Sequence, residues 1–382
     1  MKEYREWTSR SQTPLFIVDG PGSGKSTLMR SLVETLSGNT DAFVLKHFFY
    51  AGGEYLQKTT QGFMQSLLYQ ILSRQPEVLE KMPPFRHLPS GLPKLDTVHL
   101  HELFLDALFH LSKIKSSIFL VVDAFDECVD YPPGQEWNFQ DFVTTTMAES
   151  RSLSIQFHLC ISSSMIPGLN ISLSEFPRIE INMENSAEDI KLYVRHSIAN
   201  VWGGEQQNIS NGIVQQSSGL FLLAALYTST VLSSISRGNP IEQIIQQINH
   251  MPKELDSLLA MILRARDKEE STLVFQCACA AQRMLTVAEF ITASDPEFSN
   301  GLFLEGNEGT SSMKQLLLSR SAGLLRVVRL DQNRDDSSRV VFMHAVVKDF
   351  LEHEFLHPDL IRQGHQQFVS ASMKCLNKFC SH

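Results

Sequence analysis

The sequence predicts an α/β domain on a parallel sheet, then a helical region, then a small module of helices and a β-hairpin. Three observations carry this. Short apolar runs alternate with amphipathic stretches as far as Phe176, a glycine-rich loop joins the first run to a helix, and the later pattern is mostly helical.

Taken in order, residues 15–18 (LFIV) form a β-prone run that enters DGPGSGKST, and apolar spacing over 27–36 predicts a helix. A second strand is predicted over 43–49, then a helix carrying Phe63, Leu67, Leu68, Ile71 and Leu72. Residues 83–95 are rich in Pro, Gly and Ser and read as a loop. A helix through Leu103, Ala107, Leu108 and Leu111 leads to 118–122, a continuous apolar run suited to a strand buried on both faces. Another buried strand is read over 155–161, closed by Ser162, Ser163 and Ser164. Such alternation implies right-handed βαβ units and a parallel sheet.

Beyond Phe176, helices are predicted over 185–198, 209–216, 219–235 and 241–248, and Pro252 is read as opening another with Leu255, Leu258, Leu259, Ile262 and Leu263. Residues 211–236 carry no charge, yet their many Ser and Thr favour a buried helix over a membrane span. Thr286, Val287, Ala288 and Glu289 have the spacing of a capping box. Two β-like runs, 324–330 and 340–343, flank the polar segment DQNRDDSSR. His344 then leads into a helix with Val346, Val347, Phe350 and Leu351 on one face, completing a winged-helix-like pattern. No internal repeat is visible.

The loop is the first candidate site. Glycines let successive backbone N–H groups turn toward one anion, and the helix start adds its positive dipole end. Gly20, Pro21, Gly22, Ser23, Gly24, Lys25, Ser26 and Thr27 would then bind nucleotide phosphates, with Lys25 reaching the β- and γ-phosphates and Ser26 ligating Mg²⁺. Asp19 stands where the pattern wants its first glycine, which places a Cβ and a negative charge near a polyanion. The acidic end of the 118–122 strand is the second half of the site. Asp123 is placed to hold Mg²⁺, and Asp126 or Glu127 to orient or deprotonate water.

Composition bounds the function. The 382 residues suggest two or three domains, and 43% hydrophobic with 20% charged residues is ordinary for globular protein. A net charge of −9 argues against a general nucleic-acid surface. No secretory signal opens the chain, and the six cysteines lack paired spacing, so they read as reduced intracellular thiols, with Cys277 and Cys279 packed in a helix.

The chain resembles a NACHT-type P-loop NTPase of the STAND class, in particular the nephrocystin-like N-terminal modules of fungal NOD-like receptor proteins. The matching pieces are FIVDGPGSGKSTLMRSL, FFYAGGEYLQKTTQGFMQSLLYQIL, IFLVVDAFDEC, HLCISSS, INMENSAEDIKLYV, GLFLLAALY and VVFMHAVVKDFL, in that order. The resemblance implies an extension over 1–13, a P-loop NTPase domain over 14–178, a helical domain over 179–252, a winged-helix-like domain over 253–356 and a helical tail over 357–382. It also implies that His344 senses the diphosphate, whereas its residue-level reading is a helix-capping histidine. Ser164 stands where the family places an arginine, and Leu223 where it places an aromatic. No repeat array follows Leu356, which suggests a truncated product or a stand-alone switch.

The function expected is a cytoplasmic, ATP/ADP-binding switch with slow Mg²⁺-dependent hydrolysis. Its ATP state would self-associate or bind a partner protein, without nucleic acid or membrane. The alternatives are a steady-turnover ATPase or small-molecule kinase, and a degenerate scaffold without nucleotide. DNA binding through the winged helix fits the charge poorly.

Overall fold

A computed structural model describes residues 2–9, 13–38, 42–82, 96–129, 139–164, 177–181, 183–199, 206–264, 268–294, 314, 316–329 and 338–380. The chain divides into two compact units, Met1–Asn182 and Met183–His382.

In the first unit five parallel strands form one sheet: β1 (Leu15–Val18), β2 (Ala42–Phe48), β3 (Ser117–Asp123), β4 (Gln156–Ser163) and β5 (Arg178–Glu180). Their order is β2-β3-β4-β1-β5, so one strand separates the loop-bearing β1 from the acid-bearing β3. Helices cover both faces: α1 (Lys2–Ser9) and α2 (Lys25–Ser37) on one, and α4 (Thr60–Arg74), α5 (Pro76–Lys81), α6 (Thr97–Ser112) and α7 (Phe139–Ser152) on the other. Strand alternation sorts the core between them. Phe16, Val18, Ile118, Leu120 and Val122 join the layer of α4, α6 and α7, while Leu15, Ile17, Phe119 and Val121 join that of α1 and α2.

Several features depart from the sequence reading. The segment ahead of β1 forms α1, whose buried Trp7 donates its indole N–H to the Leu159 carbonyl at 3.1 Å and packs edge-on against Phe119 and His158. Helix α7 was not anticipated, although Phe139, Phe142, Val143 and Met147 share one buried face. β5 falls where helix was expected, because three residues reading Arg-Ile-Glu carry no strand signal. The loop read over 83–95 lies outside the described residues.

Two packing devices frame the sheet. The free edge of β2 is covered by side chains: the Gln70 amide pairs with both Lys46 N–H and C=O at 3.0 and 2.7 Å, and Arg74 donates to Val44 C=O at 2.8 Å. The short α3 (Tyr55–Lys58) meets α4 at Gly62, where a Cβ would lie 2.0 Å from the Leu56 carbonyl oxygen.

The second unit opens with α8 (Met183–Ser197), α9 (Gln206–Ser217), α10 (Phe221–Ser236), α11 (Ile241–His250), α12 (Leu255–Arg264) and α13 (Lys268–Ala280). The uncharged stretch becomes α10, with Leu222, Leu223, Leu226, Tyr227 and Val231 buried. Among the described residues no helix is long and apolar enough to cross a membrane. Pro252 does not open a helix: its carbonyl accepts the Tyr227 hydroxyl at 2.6 Å, and α12 starts at Leu255. Cys277 and Cys279 are buried in α13.

The capping box forms as read. Thr286 N–H donates to Glu289 Oε2 at 2.8 Å and Glu289 N–H to Thr286 Oγ1 at 3.1 Å, opening α14 (Val287–Ser294). Arg283 adds two hydrogen bonds to the Glu289 carboxylate, which hold its pKa down at about 2. β6 (Leu285–Thr286), β7 (Leu325–Arg329) and β8 (Ser338–Phe342) form an antiparallel sheet in the order β6-β8-β7. Most of the DQNRDDSSR segment lies outside the described residues. α15 (Ala345–Phe350), a π-turn over Leu351–Phe355 and α16 (Pro358–Cys380) follow.

Candidate phosphate-binding site

The loop between β1 and α2 has the backbone its glycines predict. Gly22 and Gly24 hold φ of 80° and 99°, the left-handed region where a Cβ is disfavoured, and Gly24 caps α2. Thr27 and Leu28 N–H donate to the Gly24 carbonyl at 3.1 and 3.0 Å. Pro21 is exposed, as are Ser26 and Thr27. Gly20 is less constrained, since a Cβ there would meet nothing within 4 Å. Asp19 uses its carboxylate locally, Oδ1 accepting the Gly20 N–H at 2.6 Å.

Lys25 is turned back onto its own loop, Nζ donating to the carbonyls of Asp19 and Gly20 at 2.7 and 2.8 Å. Burial pushes its pKa down, against the opposing pull of Asp126, Asp19, Asp123 and Glu127. Ser23 is 2% exposed and its Oγ has no hydrogen-bond partner. An unsatisfied buried hydroxyl costs about 1–3 kcal/mol. Left-handed glycines, a helix start, an orphan hydroxyl and a lysine on one loop fit the phosphates of a nucleotide.

Asp123, at the end of β3, is 3% exposed. Its Oδ1 accepts a very short hydrogen bond from Ser162 Oγ, and Ser26 lies near enough to the carboxylate to favour its charged form. The two residues read as Mg²⁺ ligands therefore lie near one another. Burial raises the Asp123 pKa, while Ser162, Ser26, Arg30 and Lys25 oppose the rise.

The chain then bends sharply. Ala124 sits at φ 52°, which costs a non-glycine residue about 1–2 kcal/mol, and its N–H donates to Ser162 Oγ at 3.0 Å. A 3₁₀ turn over Phe125–Glu127 follows, anchored by buried Phe125, whose ring centroid lies 4.0 Å from Phe139 and 5.7 Å from Phe49. The two acids of the turn are held from opposite sides. Asp126 accepts the Ser164 N–H at 3.0 Å on Oδ1 and the Ser164 hydroxyl at 2.6 Å on Oδ2. Glu127 Oε2 accepts the Ala51 N–H at 2.8 Å, from the segment after β2.

Lys25, Ser26, Asp123, Asp126 and Glu127 are thus brought together by the ends of β1 and β3. His344 is in the second unit and caps α15, its Nδ1 accepting the Val346 N–H at 3.2 Å. Its assignment to nucleotide rests on the resemblance alone. The sequence reading missed Ser162 and Ser164 as holders of the acids. Their signal is an i, i+2 pair of small hydroxyl residues at a strand end, legible only once β4 is known to neighbour β3.

The family model Nephrocystin 3, N-terminal matches residues 1–164, so the resemblance read from the motifs holds over that stretch. The vegetative incompatibility protein HET-E-1 of Podospora anserina is 22% identical over 373 residues, covering 91% of this chain and 25% of its own length. The chain therefore spans about a quarter of the length of that curated relative. Among solved structures, the Aeropyrum pernix ORC2 protein in its ADPNP–ADP complexes is similar with a TM-score of 0.42 at 11% identity, covering 97% of this chain and 92% of that one. The RuvB Holliday junction branch migration motor of Thermotoga maritima has a TM-score of 0.38 at 13% identity, covering 89% of this chain and 90% of that one.

Proposed function

We propose that this chain is a nucleotide-dependent signalling switch of the NACHT type, binding ATP or ADP with Mg²⁺ and hydrolysing ATP slowly. The observation that carries the reading is geometric: the loop bearing Lys25 and Ser26 and the acids that end β3 lie on strands one apart, with the strand between them holding Asp123 and Asp126 through Ser162 and Ser164. Residues 20–27 would hold the phosphates through backbone N–H groups, the Lys25 charge and the Ser26 and Thr27 hydroxyls. Ser26 and Asp123 would hold Mg²⁺, which supplies charge neutralisation at the phosphates.

In hydrolysis the water oxygen bonds to the terminal phosphorus, and the bond from that phosphorus to the bridging oxygen breaks. The electron pair leaves with the diphosphate, an acid of the 126–127 turn takes the proton from water, and ADP and orthophosphate result. Ser164 brings no positive charge to the end of β4, consistent with slow turnover. As a switch, the protein responds to nucleotide only through differential affinity of its states, and full conversion needs about a 10⁴-fold difference.

The same reading is of a cytoplasmic protein whose ATP form self-associates or engages a partner protein, without nucleic acid or membrane. A net charge of −9 suits that reading. One observation favours a degenerate scaffold instead: Lys25 and the Gly20 N–H are both engaged within the loop. Sedimentation of the full chain with Mg²⁺ and either ADP or a non-hydrolysable ATP analogue, alongside turnover, separates the readings. The switch predicts a larger species with the ATP analogue and slow turnover. Identical sedimentation in both nucleotides contradicts the switch, and turnover of about 1–100 s⁻¹ would indicate a steady ATPase.

A further inference from the structure

The hydrolysis reading leaves two adjacent acids with one task, and their partners divide them. Each carboxylate oxygen of Asp126 already takes a hydrogen from Ser164, one from its backbone and one from its hydroxyl. Glu127 is held by the Ala51 N–H beyond β2 instead. The turn carrying both acids is itself short, closed by Glu127 N–H to Ala124 C=O at 2.9 Å and Cys128 N–H to Phe125 C=O at 3.1 Å. Both Asp126 oxygens are thus committed to Ser164, at the end of the strand that lies between β1 and β3.

We infer that Ser164 is a positioning residue that clamps Asp126 to the end of β4, so that Asp126 aims the turn and Glu127 is the acid that takes the proton from water. Ser162 does the parallel task for Asp123 and Ala124, two residues earlier on the same strand. The pair thus ties the whole acidic segment to β4. This inference rests on the nucleotide-hydrolysis reading above.

The test is a double-mutant cycle on the full chain, read in two ways. Single-turnover hydrolysis of Mg·ATP is measured beside nucleotide affinity for Ser164→Ala, Ser164→Thr, Asp126→Ala, the Ser164→Ala/Asp126→Ala double variant and Glu127→Gln. Amide hydrogen exchange across 124–128 is followed in the nucleotide-free proteins. An Asn could keep the clamp by accepting the Ser164 N–H and donating to the Ser164 hydroxyl, so the variant that should break it much as Ser164→Ala does is Asp126→Ala, which offers neither group.

The clamp predicts that each lowers the hydrolysis rate about 10- to 100-fold while affinity stays within about twofold. The double variant should be no slower than the slower single, exchange across the turn should quicken alike in all three, and Ser164→Thr should restore both readouts. Glu127→Gln should lose more, about 10²- to 10⁴-fold, with exchange across the turn unchanged. The inference is overturned if Asp126→Ala is as slow as Glu127→Gln while Ser164→Ala is unaffected, or if the two singles add. An unaltered chain that binds no nucleotide would overturn the underlying reading, which the affinity measurement distinguishes from failure of the clamp alone.

Discussion

At the scale of single residues, Asp19 is where the phosphate loop works against itself. Its carboxylate takes the Gly20 N–H, and its carbonyl takes one hydrogen of Lys25. Asp19→Gly removes both the charge and the competing acceptor, so nucleotide affinity should tighten about tenfold, an equilibrium change of about 1.4 kcal/mol. Asp19→Asn keeps an acceptor and should recover only part of that gain. A titration showing no gain in either variant would mean that the carboxylate is harmless. His47 is the second residue with a measurable signature. Burial drives its pKa down to about 4, and its Nε2 has no partner amid the rings of Phe49 and Phe63. A depressed folded-state pKa means that the unfolded chain takes the proton first. Stability is full above pH about 6.5 and falls as pH drops toward about 4, by up to about 3 kcal/mol. His47→Phe should flatten the acid side of a stability–pH curve, and an unchanged slope would place the titrating group elsewhere.

At the scale of elements, Gly62 decides how closely α3 and α4 approach. Helix propensity alone favours Gly62→Ala by about 1 kcal/mol. The added Cβ, however, would meet the Leu56 backbone at 2.0 Å, and overpacking of this kind costs about 1–3 kcal/mol or more. The clash wins, so the variant should melt several degrees lower, and equal or higher stability would show that α3 can move aside. The elements legible in the sequence were those whose signal is local: the 15–27 strand, loop and helix, the 118–122 run ending in acids, and the Thr286–Glu289 box. Elements that depend on distant partners were not. α1 is polar over most of its length and is held by one tryptophan on β4, β5 is three residues added to an edge, and the Pro252 carbonyl is taken by Tyr227. The roles of Ser162 and Ser164 were hidden for the same reason. Three serines after an apolar run say only that a strand ends, and the strand order turns two of them into partners of Asp123 and Asp126.

At the scale of the whole molecule, each unit has its own core, and residues 20–27, Asp123, Asp126 and Glu127 all belong to the first. The account therefore stands or falls on nucleotide binding by that unit, whatever the second contributes to a response. Lys25 is the side-chain cation of the loop, partly buried, with its ammonium on the Asp19 and Gly20 carbonyls and its charge favoured by Asp126, Asp19, Asp123 and Glu127. Without it the phosphates would have only backbone N–H groups and hydroxyls to meet them. The most direct measurement is a calorimetric titration of the full chain with ATP and with ADP in Mg²⁺, repeated for Lys25→Ala after its melting curve shows the fold intact. The account predicts saturable one-to-one binding by the unaltered chain and a loss of at least about tenfold in the variant. Equal affinity in the two proteins, or no binding by either, would contradict it.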